Sequence, residues 1–127
     1  VLSLHVAADG VLWIGTTQGL ARIVGDRPVV PREPILADVR DVFGMTEAGG
    51  HLWIATDRGL LRHAGGRYSQ VSSAQGLPFD TIFQMVEDGH GHLWLTGNRG
   101  IVRVALAELP QGRRDEIVEE DGEKAEP

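Results

Sequence analysis

A chain of 127 residues suits one domain, able to bury about two-thirds of the surface its unfolded form would expose. Hydrophobic residues at 42% and charged residues at 24% argue against a disordered or membrane-embedded chain, and no apolar run approaches the roughly 20 residues that cross a bilayer. The net charge of −6 argues against a nucleic-acid partner, and the lack of Cys removes disulfides, thiol nucleophiles and zinc–thiolate sites. The acidity is local: residues 105–127 hold eight acids and three bases, a charge of −5, which leaves −1 for residues 1–104. Val1-Leu2 is not the charged start of a signal peptide, and the chain reads as an excised piece with no membrane contact of its own.

In chain order, a first strand is expected over residues 2–7, closed by a turn at Asp9-Gly10. Leu12-Trp13-Ile14 follows, then Thr17-Gln18-Gly19, a new strand from Leu20, a weaker one over 27–30, and a linker over 31–38. The same series returns with a strand over 39–46, Gly49-Gly50, Leu52-Trp53-Ile54, Asp57-Arg58-Gly59, a strand from Leu60, a weaker one over 67–71 and a linker over 72–80. It starts a third time with a strand over 81–87, Asp88-Gly89-His90-Gly91, Leu93-Trp94-Leu95, Asn98-Arg99-Gly100 and a strand from Ile101. Residues 105–109 suit a short helical turn before Pro110, and from Gly112 onward the acidic composition predicts disorder.

Three segments therefore align: LWIGTTQGLAR at 12–22, LWIATDRGLLR at 52–62 and LWLTGNRGIVR at 93–103. The Trp spacings are 40 and 41, and each Trp is followed by Gly six residues later (Gly19, Gly59, Gly100) and by Arg nine later (Arg22, Arg62, Arg103). Each Leu-Trp-Ile/Leu run puts apolar side chains on both faces of a strand, so both faces need cover. Each Gly supplies the positive φ of a tight hairpin. Amphipathic helical stretches are missing before Ala105, and a period of about 40 residues made from four strands is that of a β-propeller blade. The expected fold is all-β: three four-stranded antiparallel blades, about 1–30, 39–71 and 81–104, in an incomplete ring.

The stretches DGVLWIGTTQGLAR at 9–22 and GLPFDTIFQMVEDGHGHLWLTGNRGIVRV at 76–104 resemble the two-component-regulator propeller repeat of periplasmic or extracellular sensor regions in bacterial signalling proteins. The resemblance covers nearly all of residues 1–104 and rests on the shared period and the Leu-Trp, Gly-Leu and Gly-Leu-Pro elements. It implies a propeller of about seven blades ahead of a histidine kinase or diguanylate cyclase, in a membrane-anchored sensor. NRGIVRVALAEL at 98–109 is similar to the diguanylate-cyclase type in particular. Neither output module lies in this chain. Ala55 stands where the first repeat has Gly15, and Thr96-Gly97 where it has Gly15-Thr16.

Three blades are too few to close a ring of typically four to eight, and open ends would expose apolar faces. Self-association is therefore expected, most simply as a homodimer forming a six-blade ring. Within a blade, the turn between strands two and three lies at the same end as the linker to the next blade, so these tips gather on one rim. Gln18, Asp57, Arg58, Asn98 and Arg99 are the rim candidates: Arg58 and Arg99 suit a carboxylate or phosphate, and Gln18, Asp57 and Asn98 suit sugar hydroxyls. The chemistry of these tips varies while the Trp and Gly positions do not, as expected of loops on a fixed scaffold.

Other candidates read as structural. The repeated Arg22, Arg62 and Arg103 suit outer-strand packing and local pairing. His5, Gly44 and Gln84 align on the inner strands, which makes His5 and Gln84 candidates for the central channel. His90-Gly91-His92 lacks a third metal ligand, and His92 aligns with His51 and Val11, so no metal site is expected. Asp9-Gly10 and Asp88-Gly89 lack the oxygen series of a calcium loop. Ser72, Ser73 and Asp80 form no nucleophile arrangement, and Glu87 and Asp88 point to opposite faces of a strand. No cofactor or catalytic residue is expected. The leading expectation is a non-catalytic sensor propeller that recognises a small molecule or glycan, with a protein–protein scaffold and a propeller lyase as alternatives.

Overall fold

The computed structural model describes residues 2–108 and 116–118. The first blade is formed by Ser3–Val6 (β1), Leu12–Thr16 (β2), Gly19–Val24 (β3) and Arg27–Val29 (β4). The second holds Val42–Ala48 (β5), His51–Thr56 (β6), Gly59–Ala64 (β7) and Arg67–Val71 (β8). The third holds Ile82–Glu87 (β9), His92–Gly97 (β10), Gly100–Ala105 (β11) and Glu116–Val118 (β12). Each is a four-stranded sheet with its strands in chain order, and all pairings are antiparallel. The first strands β1, β5 and β9 lie side by side, so they form the inner edge of the arc and β4, β8 and β12 the outer edge.

Register explains why each sheet has two distinct apolar faces. In blade 1, His5, Trp13, Arg22 and Val29 form one cross-strand row, while Val6, Leu12, Ile23 and Pro28 form the neighbouring row on the opposite face. Blade 2 repeats this with Thr46, Trp53, Arg62 and Ser69 against Glu47, Leu52, His63 and Tyr68. Blade 3 repeats it with Val86, Trp94 and Arg103 against Glu87, Leu93 and Val104. The Trp face of each blade meets the Leu face of the next. One core joins Trp13 and Leu20 to Val42, Leu52, Ile54 and Leu61. The other joins Trp53, Ala55 and Leu60 to Leu93, Leu95, Val102 and Val104, with Leu77 and Phe79 of the second linker. Trp13 is 2% exposed and Trp53 1%, so each delivers the large burial an aromatic side chain offers. The repeated Arg residues lie on the third strand of each blade and not on the outer one expected, opposite the Trps: Arg22 lies 5.3 Å over Trp13 and Arg103 5.8 Å over Trp94.

The hairpin tips are built alike. Gly19, Gly59 and Gly100 adopt φ of 106°, 103° and 137°. Just before two of them, the Thr16 and Thr56 hydroxyls each donate to the tip Gly carbonyl at 2.8 Å and accept a backbone N–H at 2.9 Å. Blade 3 has Gly97 in place of this Thr. A Cβ there would run into the Phe79 ring and lie 2.6 Å from the Thr81 carbonyl oxygen, so the substitution makes room for the second linker.

Two findings depart from the sequence reading. The stretch from Gly112, expected to be disordered, lies outside the described residues except at 116–118, which pair with β11 as the fourth strand of blade 3. The polypeptide leaves β11 through a 3-10 turn at Leu106–Glu108 before returning, whereas blades 1 and 2 reach their fourth strand by two-residue turns. The inner-strand alignment also needs correction. Gly44 and Gln84 are equivalent, facing Ala55 and Thr96, but their blade 1 counterpart is Ser3, which faces Gly15. His5 corresponds instead to Thr46 and Val86. His5 and Val86 each stand eight residues before their Trp and Thr46 seven, because the first hairpin of blade 2 is one residue shorter than the other two.

Replacing Trp53 by Ala should destabilise the chain by about 3–5 kcal/mol in urea unfolding, through loss of burial and the cavity left behind. Gly97→Ala should cost about 1–3 kcal/mol by overpacking. Gly44→Ala is a control: its Cβ would sit 3.7 Å from the Phe83 carbonyl oxygen, an ordinary contact, and stability should stay within about 1 kcal/mol of the parent.

Candidate functional site

The tips between second and third strands lie on the rim crossed by the linkers, and each is hydrogen-bonded to one. The Gly19 N–H donates to the Arg40 carbonyl at 2.6 Å, the Asp57 N–H to the Asp41 carbonyl at 3.1 Å, and the Asn98 N–H to the Thr81 carbonyl at 3.3 Å. The Asp57 carboxylate does more: its Oδ1 accepts the N–H groups of Arg40 at 3.1 Å and Asp41 at 3.2 Å. Arg58 Nε donates to the Asp38 carbonyl at 3.3 Å, and Gln70 Nε2 donates to the Arg58 carbonyl at 2.5 Å. Both linkers contain a 3-10 turn, at Pro34–Leu36 and Ser73–Gln75. Asp80 caps the second, accepting the Ser73 N–H at 2.7 Å and the Ser73 hydroxyl at 3.0 Å.

These elements enclose an open cavity of about 400 Å³. Pro34, Ile35 and Asp38 come from the first linker, and Ser72 and Asp80 from the second. Arg58 from its hairpin tip and Gln70 from β8 complete the wall. Of the five rim candidates, the structure brings only Arg58 to this cavity. Gln18, Asn98 and Arg99 are exposed on their own tips, and Asp57 is engaged with the first linker. Asp38 and Gln70 were not singled out from sequence, and Asp80 only within a rejected nucleophile arrangement. The linkers that bound the cavity are those expected along this rim, but β8 showed no signal that its Gln70 turns toward it.

The channel candidates part company. His5 Nε2 lies 2.9 Å from Glu47 Oε1, bridging blades 1 and 2, and the Glu47 carboxylate also accepts the Ala8 N–H at 3.2 Å. The bond from His5, followed by that from Ala8, holds the Glu47 carboxyl below its ordinary pKa. Gln84 is exposed on the Trp94 side of blade 3. Aromatics missed from sequence meet here: the Phe43 and Phe83 rings pack edge to face, with centroids 5.0 Å apart. Their signal was Val42-Phe43-Gly44-Met45 matching Ile82-Phe83-Gln84-Met85.

A second cavity, about 200 Å³, opens at the opposite end between blades 1 and 2, with Trp13, Glu47, Leu52 and His63 in its wall. The His63 ring packs at a tilt against both Trp13 and Tyr68, with centroids 4.8 Å from each. Burial, then the nearby Arg22 guanidinium, pushes the His63 pKa down, which favours the neutral ring. At the first turn of blade 3, Asp88 organises the loop with its two histidines. It accepts the N–H groups of His90 at 2.7 Å and His92 at 3.2 Å, and the Trp94 indole N–H at 3.3 Å. Desolvation opposes its charge, but these accepted bonds prevail and hold its pKa below the ordinary value. Among the described residues, no three His, Cys, Asp or Glu side chains are grouped to hold a metal ion.

Two substitutions probe these roles. Asp57→Ala should lower stability by about 1–2 kcal/mol and speed amide exchange at Arg40 and Asp41, since two charge-assisted bonds are lost. A depressed carboxyl pKa contributes stability above its unfolded value and loses it as pH falls through the folded one. The stability gap between the parent and Asp88→Asn should therefore be full at neutral pH and shrink as pH drops below 3.8, the ordinary value. A gap that is constant with pH would contradict the role given to the carboxylate.

No protein-family model matches the sequence, and no curated protein matches it. Solved structures do. The extracellular domain of a protein described as a hybrid two-component system from B. thetaiotaomicron is 21% identical, with a TM-score of 0.71 over 100% of this chain and 18% of that one. A second such domain from B. thetaiotaomicron is 17% identical, with a TM-score of 0.71 over 94% of this chain and 18% of that one. Virginiamycin B lyase from Staphylococcus aureus is 16% identical, with a TM-score of 0.65 over 98% of this chain and 54% of that one. The chain thus spans less than a fifth of the two extracellular domains. Three four-stranded sheets stacked Trp face to Leu face, together with these likenesses, identify the chain as an arc of three β-propeller blades.

Proposed function

We propose that the chain is part of the ligand-recognition propeller of a bacterial signalling protein, acting outside the cytoplasm without catalysing a reaction. The observation that carries this reading is the rim cavity of about 400 Å³ between the two linkers, within the range of about 300–1,000 Å³ usual for small-molecule sites. Its polar wall, with Arg58, Asp38, Asp80 and Gln70, suits a ligand rich in hydroxyl groups, such as a glycan fragment or a related polar metabolite. The likeness to extracellular domains of hybrid two-component systems supports a sensing role in the same direction. Among the described residues, no helix is long and apolar enough to cross a membrane.

The mechanism follows from where the cavity lies. Its wall is shared by the tip of blade 2 and by both linkers, so a ligand there bridges segments that set the spacing of all three blades. Differential affinity for two blade arrangements is then enough to shift their populations, with no chemistry required. The test is calorimetric titration with a panel of neutral and acidic oligosaccharides and polar metabolites. At least one member should bind, and Arg58→Ala should weaken that binding about tenfold or more while leaving the fold intact. If no member binds, or if binding is indifferent to Arg58 and Asp38, the reading fails.

A further inference from the structure

The rim cavity carries charges of both signs that leave one another unpaired. Arg58 stands in its wall with Asp38 and Asp80, three side chains brought together from the tip of blade 2 and from the linkers on either side of that blade. Among the described residues, none of the three takes part in an ion pair. Opposite charges that converge on open space without touching leave room for a group between them. Every wall residue falls within 34–80, so the arrangement belongs to blade 2 and its two linkers alone.

Local bonds fix what each group still has to offer. The Nε of Arg58 is taken by the Asp38 carbonyl, which steadies the guanidinium and leaves its two terminal nitrogens as a fork that matches a carboxylate. Both Asp80 oxygens accept from Ser73, one from the N–H and the other from the hydroxyl, and each keeps a lone pair. The Asp38 carboxylate accepts no hydrogen bond among the described residues. Gln70 gives its amide nitrogen to the Arg58 carbonyl and keeps its oxygen as a further acceptor. A neutral ligand would displace water from three charges and neutralise none of them, which is costly. An anion would meet two carboxylates, and a cation would leave the guanidinium without a partner. A ligand of both signs offsets the lost hydration at every charged group.

We infer that the cavity takes a small zwitterion, an amino sugar acid or a free amino acid, with its carboxylate on the Arg58 fork and its ammonium on Asp38 and Asp80. An ammonium has three N–H donors, which suits two carboxylates with unused lone pairs. The inference rests on the recognition role proposed above for the same cavity and narrows the class of its ligand.

Calorimetric titration of the full chain with four related sugars isolates the two charges. Muramic acid carries both, N-acetylmuramic acid only the carboxylate, glucosamine only the ammonium, and N-acetylglucosamine neither. Muramic acid should bind about tenfold or more tighter than each of the others, the step expected when a charged hydrogen-bonding group is removed. Asp38→Asn should shrink its advantage over N-acetylmuramic acid, and Arg58→Gln its advantage over glucosamine. Both side chains are exposed, so both variants should keep the parent's circular dichroism spectrum. Serine, with its N-acetyl and amide forms, repeats the comparison without the sugar. Binding of serine with the same dependence on Asp38 and Arg58 assigns a free amino acid, and binding of muramic acid alone assigns an amino sugar acid. The inference is overturned if neither zwitterion binds, or if an analogue lacking one charge binds as tightly as its parent. Binding of a neutral or acidic member of the wider panel would then keep the recognition role while removing the charge pairing, and only silence of that whole panel removes both.

Discussion

The packing of one blade's Trp on the next blade's Leu and Ile is the interaction on which the remaining structure depends. Each sheet is thin, and neither of its apolar faces is covered by its own strands. Burying Trp13 against Leu52 and Ile54, and Trp53 against Leu93 and Leu95, gives the sheets a fixed order and spacing. Close packing of this kind is sensitive to volume and tolerates little slippage. The invariant Leu-Trp pair is thus one knob and one floor, made by adjacent residues because a strand sends neighbours to opposite faces.

Once the blades are stacked, the linkers and hairpin tips meet on one rim, and most of the polar groups there hold the polypeptide together. Asp57 ties down the first linker, Asp80 caps the turn that opens the second, and the Gln70 amide anchors the Arg58 backbone. What remains for a ligand is the space they frame: a guanidinium at one wall, carboxylates on either side, and Pro34 and Ile35 as an apolar patch. The opposite end is bound differently, with the His5–Glu47 bridge and the Trp13–His63–Tyr68 ring cluster joining blades 1 and 2 through side chains. The cavity thus lies at the end where the linkers cross, and the side-chain bridges lie at the other.

The repeat made much of this legible in advance. The aligned Leu-Trp, Gly and Arg positions located the four-stranded units, the hairpin tips and the rim that carries the linkers. Arg58 was among the side chains named for that rim. Its cavity partners Asp38, Gln70 and Asp80 were not, because they differ between repeats or lie outside the aligned segments, and alignment finds what is shared. The slip over His5 has a similar cause. The inner strands carry no repeated mark like Leu-Trp to align on, so the hydrogen-bond ladder is what sets His5 with Thr46 and Val86.

By itself, the sequence determined the all-β fold, the blade period and the two-sided apolar strands, because these follow from local periodicity and from glycines placed where the backbone must take positive φ. Only the tertiary structure decided that a short strand at 116–118 completes blade 3 and that Asp57 serves the first linker. It alone turned His5 to Glu47 and assembled the rim cavity from one tip, one outer strand and two linkers. These are long-range matters. They depend on which segments come into contact once the Trp faces are buried, and no local pattern encodes the distance between residues that far apart in the chain.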